Sequence, residues 1–112
     1  MTHFMKLNKQ PFMLIDSGKK TIEVRLYDRK RAKISVGDTI LFTQINTENI
    51  IETKVLSINR YDSFLSLYNA QSHTKMGYES ENSGDYTDMY EYYSKEDENL
   101  YGVLAIEIKK LY

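Results

Sequence analysis

Between Gly18 and Leu26 the chain alternates: Ile22, Val24 and Leu26 are apolar, and Thr21, Glu23 and Arg25 between them are polar. Period-two alternation fits a strand and sends the two sets to opposite faces. A strand that spends three same-face positions on Thr, Glu and Arg builds either a solvated edge or the wall of a site. Lys19 and Lys20 stand just ahead, so an ammonium, a carboxylate and a guanidinium lie close together in one short segment.

The same reading punctuates the rest of the chain. Residues 3–7 read as an opening strand. Pro11 suits the first turn of a helix through about Asp16, with Phe12, Met13 and Ile15 on its apolar side and Gly18 as its stop. After the strand of 20–26 comes a basic loop, Tyr27-Asp28-Arg29-Lys30-Arg31-Ala32-Lys33, and then a turn at Gly37-Asp38. Thr39–Ile45 is strand-like, 46–49 is a hairpin loop, and Ile50–Ile58 is a long strand whose register changes near Val55-Leu56, as at a bulge. Asp62 or Ser63 caps a helix carrying Phe64, Leu65, Leu67 and Tyr68. Residues 70–84 read as a loop or flap. Asp85 caps a helix with Tyr86, Met89, Tyr90 and Tyr93 on one face, and Ser94 opens one further helical turn. Gly102–Leu111 is a strand with Leu104, Ile106 and Ile108 on one face. About five strands with three short helices define an α+β chain, mainly β, and a strongly bent sheet or small barrel satisfies that inventory.

At 112 residues, 41% of them apolar, the chain reads as a single soluble domain spanning 1–112. No apolar run reaches the ~18 residues of a membrane span, and the start has no signal-peptide pattern, so the expected compartment is the cytoplasm, with no membrane partner. The chain has no cysteine and only His3 and His73, which leaves little material for a metal site, thiol chemistry or a Ser-His-Asp triad. Neither a metal nor a cofactor is expected. The formal charge of -1 conceals a split. Residues 1–60 hold eleven Lys and Arg against six acids, a net of +5; residues 61–112 hold four Lys against ten acids, a net of -6. Such asymmetry marks either a polyanion-binding face or two solvated halves whose charges pair in the fold.

The string Gly18-Lys19-Lys20-Thr21-Ile22-Glu23-Val24-Arg25, followed by Ile34-Ser35-Val36-Gly37-Asp38-Thr39-Ile40, resembles the ASCH domain, a family of PUA-like β-barrels. The resemblance rests on a Gly-x-Lys-x-x-x-x-Arg core, a Gly-Asp turn into a strand, and a closing strand like Tyr101–Ile108. It implies RNA binding; some members act on RNA or on modified nucleosides, and one small bacterial branch hydrolyses N(4)-acetylcytidine with a Lys, a Thr nucleophile and a distant Glu. Lys20 and Arg25 match that branch, but Glu23 stands where it has Thr, and an acylated carboxylate would be a mixed anhydride rather than an ester. Glu79 and Glu81 are the candidates, by region, for the distant Glu.

Three readings follow. In the first, RNA or a nucleotide-like ligand binds a cleft beside Lys19, Lys20, Thr21, Glu23 and Arg25, covered by the flap of 70–84. Arg29, Lys30 and Arg31 would contact phosphate and Tyr27 would stack on a base. In the second, Lys20 and Glu23 form the catalytic pair of a hydrolase acting on a modified nucleoside or on RNA. In the third, the oppositely charged halves make a salt-sensitive protein-interaction module. The tyrosines at helical spacing read as core, with Tyr92 pointing elsewhere, and His73 is a lone candidate acid-base group in a polar loop.

Overall fold

The computed structural model describes residues 1–112. Five strands, β1 (Thr2–Leu7), β2 (Ile22–Leu26), β3 (Thr39–Gln44), β4 (Ile50–Tyr61) and β5 (Val103–Lys110), form one sheet in the order β1-β3-β4-β5-β2. β1 runs parallel to β3 and every other pairing is antiparallel. The sheet curls into a half-barrel whose free edges are β1 and β2. Three helices, α1 (Lys9–Asp16), α2 (Phe64–Ala70) and α3 (Lys95–Tyr101), decorate it, and 3-10 turns occupy 31–33 and 86–91.

β4 lets the sheet curl because it is the longest strand and changes partners along its length. Ile50–Lys54 lie against β3, while Thr53–Tyr61 lie against β5. The register slips between Val55 and Ser57, so Leu56 is the extra residue of a bulge and is exposed. A bulge of this kind bends and twists a strand, which is what turning the sheet requires.

The strand periodicity divides the core in two. Leu7, Phe12, Ile15, Phe42, Leu104, Ile106 and their neighbours fill the inside of the curl beneath α1. Ile22, Val24, Leu26, Val103 and Ala105 face the outside and are covered by Phe64, Leu67 and Tyr68 of α2 and by Met76. β5 therefore serves both cores, and its residues from Val103 to Ile106 are all buried.

Local signals explain the helix ends. Pro11 sits in the first turn of α1, where a missing N–H costs nothing, and Gly18 leaves the helix with φ of +80°. The Ser63 hydroxyl accepts from Ser66 N–H at the start of α2, and Ser94 accepts from Asp97 N–H at the start of α3. Asp85 caps the next segment with a reciprocal box to Asp88, although that segment winds as a 3-10 helix rather than the α-helix its tyrosine spacing implies. Glu98 is a buried carboxylate that no local pattern announces: it accepts from Phe64 N–H at 2.7 Å and from Tyr90 Oη at 2.7 Å. One side chain of α3 thus caps α2 and anchors the tyrosine segment, and burial, together with this hydrogen bond, raises the Tyr90 hydroxyl to a pKa of about 12.

Candidate functional site

β1 and β2 are the two edges of the half-barrel and do not pair with each other, so a gap remains between them. Arg25 spans it: its Nη2 donates to the Lys6 carbonyl across the seam at 3.1 Å. Around this bridge lies a cleft of about 600 Å³. One wall is the end of β1 with α1, including Lys6, Pro11 and Leu14; the other is β2 with Lys20, Glu23 and Arg25. Met76 and Tyr78 of the 71–84 loop and Met89, Tyr92 and Tyr93 of the following segment complete it.

The charged group at its base is tightly coupled. Glu23 is buried with both oxygens engaged: Oε1 meets Lys20 Nζ at 2.9 Å, and Oε2 takes Arg25 Nε at 2.9 Å and Nη2 at 2.8 Å. Burial by itself would raise the Glu23 pKa. The two adjacent cations outweigh it and hold the carboxyl below its ordinary value. Burial would likewise lower the Arg25 pKa, and the Glu23 carboxylate and Tyr93 raise it instead. Lys20 is held by one carboxylate oxygen and Arg25 is bonded through Nε and Nη2 alone, so both cations keep N–H donors to spare.

The opposite wall is phenolic. Tyr68 and Tyr78 share a hydrogen bond at 2.8 Å between hydroxyls, and Tyr78 Oη donates to Asp88 at 3.0 Å. Burial and these contacts push the Tyr78 hydroxyl far above its ordinary pKa, so it stays protonated. Tyr93 stacks on Phe64 with ring centroids 5.8 Å apart. The lining carries Lys6, Lys20 and Arg25 against Glu23, Asp88 and Glu91, so its formal charges cancel. It contains no Ser or Thr.

The loop that carries Tyr78 is tied down by its own polar groups. Glu81 accepts from the Ser72 and Thr74 hydroxyls and from the backbone N–H groups of His73 and Thr74, which lower its pKa to about 2. His73 places Nδ1 at 2.8 Å from the Ser83 carbonyl and Nε2 at 2.8 Å from the Tyr68 carbonyl. Carbonyls only accept, so both bonds form only on the doubly protonated ring. Those two carbonyls raise its pKa. His73 is a cationic staple, and the acid-base role considered for it finds no place in the cleft.

Of the residues proposed from sequence to bind the ligand, Lys20, Glu23 and Arg25 converge on the cleft, and Lys19, Thr21, Tyr27, Arg29, Lys30 and Arg31 do not line it. β2 begins at Ile22; ahead of it, Thr21 bonds through its backbone to the Lys75 carbonyl, and Lys19 is exposed on the turn from α1. Tyr27 is covered by the Arg60 guanidinium, 4.1 Å above its ring, which occupies one stacking face. Arg31 is tied to Asp28 at 2.9 Å, while Arg29 and Lys30 are exposed beyond β2. Tyr90, Tyr86 and Tyr93 pack as expected against the outer core, whereas Tyr92, exposed, reaches the cleft rim. Tyr78, Met76 and Lys6 have no local signal: nothing in their neighbourhood distinguishes them from ordinary loop and strand residues.

A curled five-stranded sheet with an open seam, a basic-acidic cluster on one edge strand and short helical covers defines a PUA-like α+β fold. The chain belongs to the ASCH domain family, a PUA-like family associated with RNA binding, and the family model matches residues 5–112. It is similar to the crystal structure of the hypothetical protein PH0355, with 32% identity, a TM-score of 0.84, and coverage of 99% of this chain and 100% of that one. It is also similar to the solution structure of protein PF0455 from Pyrococcus furiosus, with 34% identity, a TM-score of 0.74, and coverage of 99% and 98%. The ASCH protein of Zymomonas mobilis shares the fold at 16% identity and a TM-score of 0.66, over 96% of this chain and 66% of that one. No curated protein matches it significantly.

Proposed function

We propose that the cleft between the two free sheet edges holds a flat, amide-bearing nucleobase, presented by RNA or as a nucleoside. The convergence of Lys20, Glu23 and Arg25 opposite a wall of tyrosines carries this reading. Planar rings stack well on phenol faces, and a bound base would find Lys20 N–H groups for a carbonyl oxygen. Cancelled charge in the lining argues for a neutral guest inside, with phosphates left at the rim. Fluorescence titration of RNA oligomers and free nucleosides tests it. Binding should occur at ~50 mM salt and weaken as salt rises for RNA, since phosphate contacts release counterions, while nucleoside binding should be nearly salt-independent. Lys20→Met should weaken both. Failure of every oligomer and nucleoside to bind ends the reading.

The hydrolytic alternative with Lys20 and Glu23 as the catalytic pair has less behind it. Both Glu23 oxygens are committed, its basicity is lowered, and the cleft offers no aliphatic hydroxyl for an acyl intermediate. Turnover of N(4)-acetylcytidine abolished by Glu23→Gln would restore it. Nothing in the geometry favours pairing of copies through their charged halves.

A further inference from the structure

The loop crosses the start of β2 at residue 75, where Thr21 N–H and Ile22 N–H donate to the Lys75 carbonyl at 2.8 and 2.9 Å. On the far side of this crossing lies a second hollow, of about 340 Å³, which shares no lining residue with the cleft. It opens on the outer face of the sheet, between β4, β5 and the end of α2. Its size is at the lower end of small-molecule sites, roughly 300–1,000 Å³. Ile22 and Ala105, both buried, close its base, and Ala105 lies beside Asn59 across the strands.

The rim is polar and unspent. Glu107 takes one hydrogen bond, from the Ser57 hydroxyl to Oε1 at 3.1 Å, and no cation pairs with it. Its Oε2 has no hydrogen-bond partner in the protein, and Glu107 lines the hollow. Gln71 spends its side-chain N–H on Tyr61 Oη at 2.7 Å, which leaves its amide oxygen to accept. The Asn59 carboxamide and the Lys75 ammonium are uncommitted donors on the same rim.

We propose that this hollow is a second recognition site, selective for a guanine-type base. A carboxylate with a free oxygen calls for neighbouring N–H donors, and among the four RNA bases only guanine carries two adjacent donors, N1–H and N2–H, on one edge. Adenine and cytosine set a lone-pair nitrogen beside their amino group, which would face the Glu107 carboxylate, and uracil has a single N–H between two carbonyls. With guanine's donors on Glu107, its O6 falls toward Asn59 and Lys75, both donors. The site stands independently of the cleft and needs no ligand there.

The test is a titration of the isotopically labelled full chain by NMR with free guanosine, adenosine, cytidine, uridine, inosine and arginine amide, and with a short guanosine-bearing RNA. Guanosine should give saturable shifts at the Asn59 and Gln71 side-chain amides and at Ala105, and Glu107→Gln should weaken binding at least tenfold with the remaining spectrum unchanged. Inosine, lacking the 2-amino group, should bind several-fold more weakly. Should Glu107→Gln disturb the fold, Asn59→Leu carries the same expectation at about fivefold. Shifts with the oligomer exceeding those with guanosine assign the base to RNA; equal shifts assign it to the free nucleoside. No guanosine response, an equal response to adenosine, undiminished binding by the variants, or a stronger response to arginine amide overturns the proposal. Guanosine shifts confined to Lys20, Glu23 and Arg25 place it in the cleft and overturn the proposal as well.

Discussion

Replacing Glu23 by Gln preserves the side chain's shape, removes its charge and turns one acceptor oxygen into an N–H donor that faces Lys20 or Arg25, which makes it a sharp probe of the cleft's architecture. Glu23 is the single carboxylate holding two cations in place, and the side chains of Lys20, Arg25 and Glu23 are 12%, 13% and 5% exposed. Removing one partner of a buried pair costs about 3–5 kcal/mol because the other charges remain uncompensated. Lys20 and Arg25 border an open cleft and can turn toward water, which favours the lower end, about 3 kcal/mol. That is a large share of the roughly 5–15 kcal/mol that stabilises a domain. It should lower the melting temperature by roughly 10–15 °C. Denaturant unfolding measures it through the midpoint, with the slope unchanged. The triple variant Lys20→Met, Glu23→Leu, Arg25→Met, which removes all three charges together, should recover much of the loss. The difference between the wild-type chain and Glu23→Gln should also shrink in acid. The native pKa of Glu23 is lowered, so its stabilisation is present above the ordinary carboxylate value of about 4.3 and lost as pH falls through the lower native one. A loss below about 1 kcal/mol would mean that the trio is a solvated surface network, and the reasoning would fail.

Other outcomes follow from the same contacts. Glu98→Ala should cost about 3 kcal/mol, since it strips the cap from Phe64 N–H and leaves the Tyr90 hydroxyl unpaired; hydrogen exchange should rise first at the start of α2. His73 should titrate above its ordinary pKa. Its stabilising contribution should be full below about 6.5 and decline as pH rises through the native value, because the neutral ring can donate to only one of its two carbonyls. Nitrogen NMR of the imidazole checks this, and a neutral tautomer at pH 6 would contradict it. Gly84→Ala should displace Tyr78, since a Cβ at Gly84 would overlap that ring and φ there is +85°. Base binding in the cleft should weaken several-fold, and unchanged binding would remove Tyr78 from the site.

Much of this fold is written locally. Gly18, Ser63, Asp85 and Ser94 mark their helix or turn ends by backbone rules that act within a few residues, and the β4 bulge shows as a break in alternation. Alternation in β2 also places Glu23 and Arg25 on one face. It cannot convey depth, because burial depends on what lies opposite, and the facing wall comes from β1, α1 and residues 76–93, distant in sequence. Glu98 and His73 escape sequence reading for the same reason: a carboxylate in an acidic helical turn and a histidine in a polar loop look solvated until partners 34 and 10 residues away are known. The basic loop shows the converse. Its charge density is visible at once, yet the chain leads it past the end of β2 and ties Arg31 to Asp28.

The most direct test is the structure of the chain soaked with a nucleoside or short RNA. A ring seated between Lys20 and the Tyr78–Tyr93 wall, with a base oxygen within hydrogen-bond reach of Lys20 Nζ, is the expected result. A nucleic acid lying only along Arg29, Lys30 and Lys33, with the seam between β1 and β2 untouched, would contradict it.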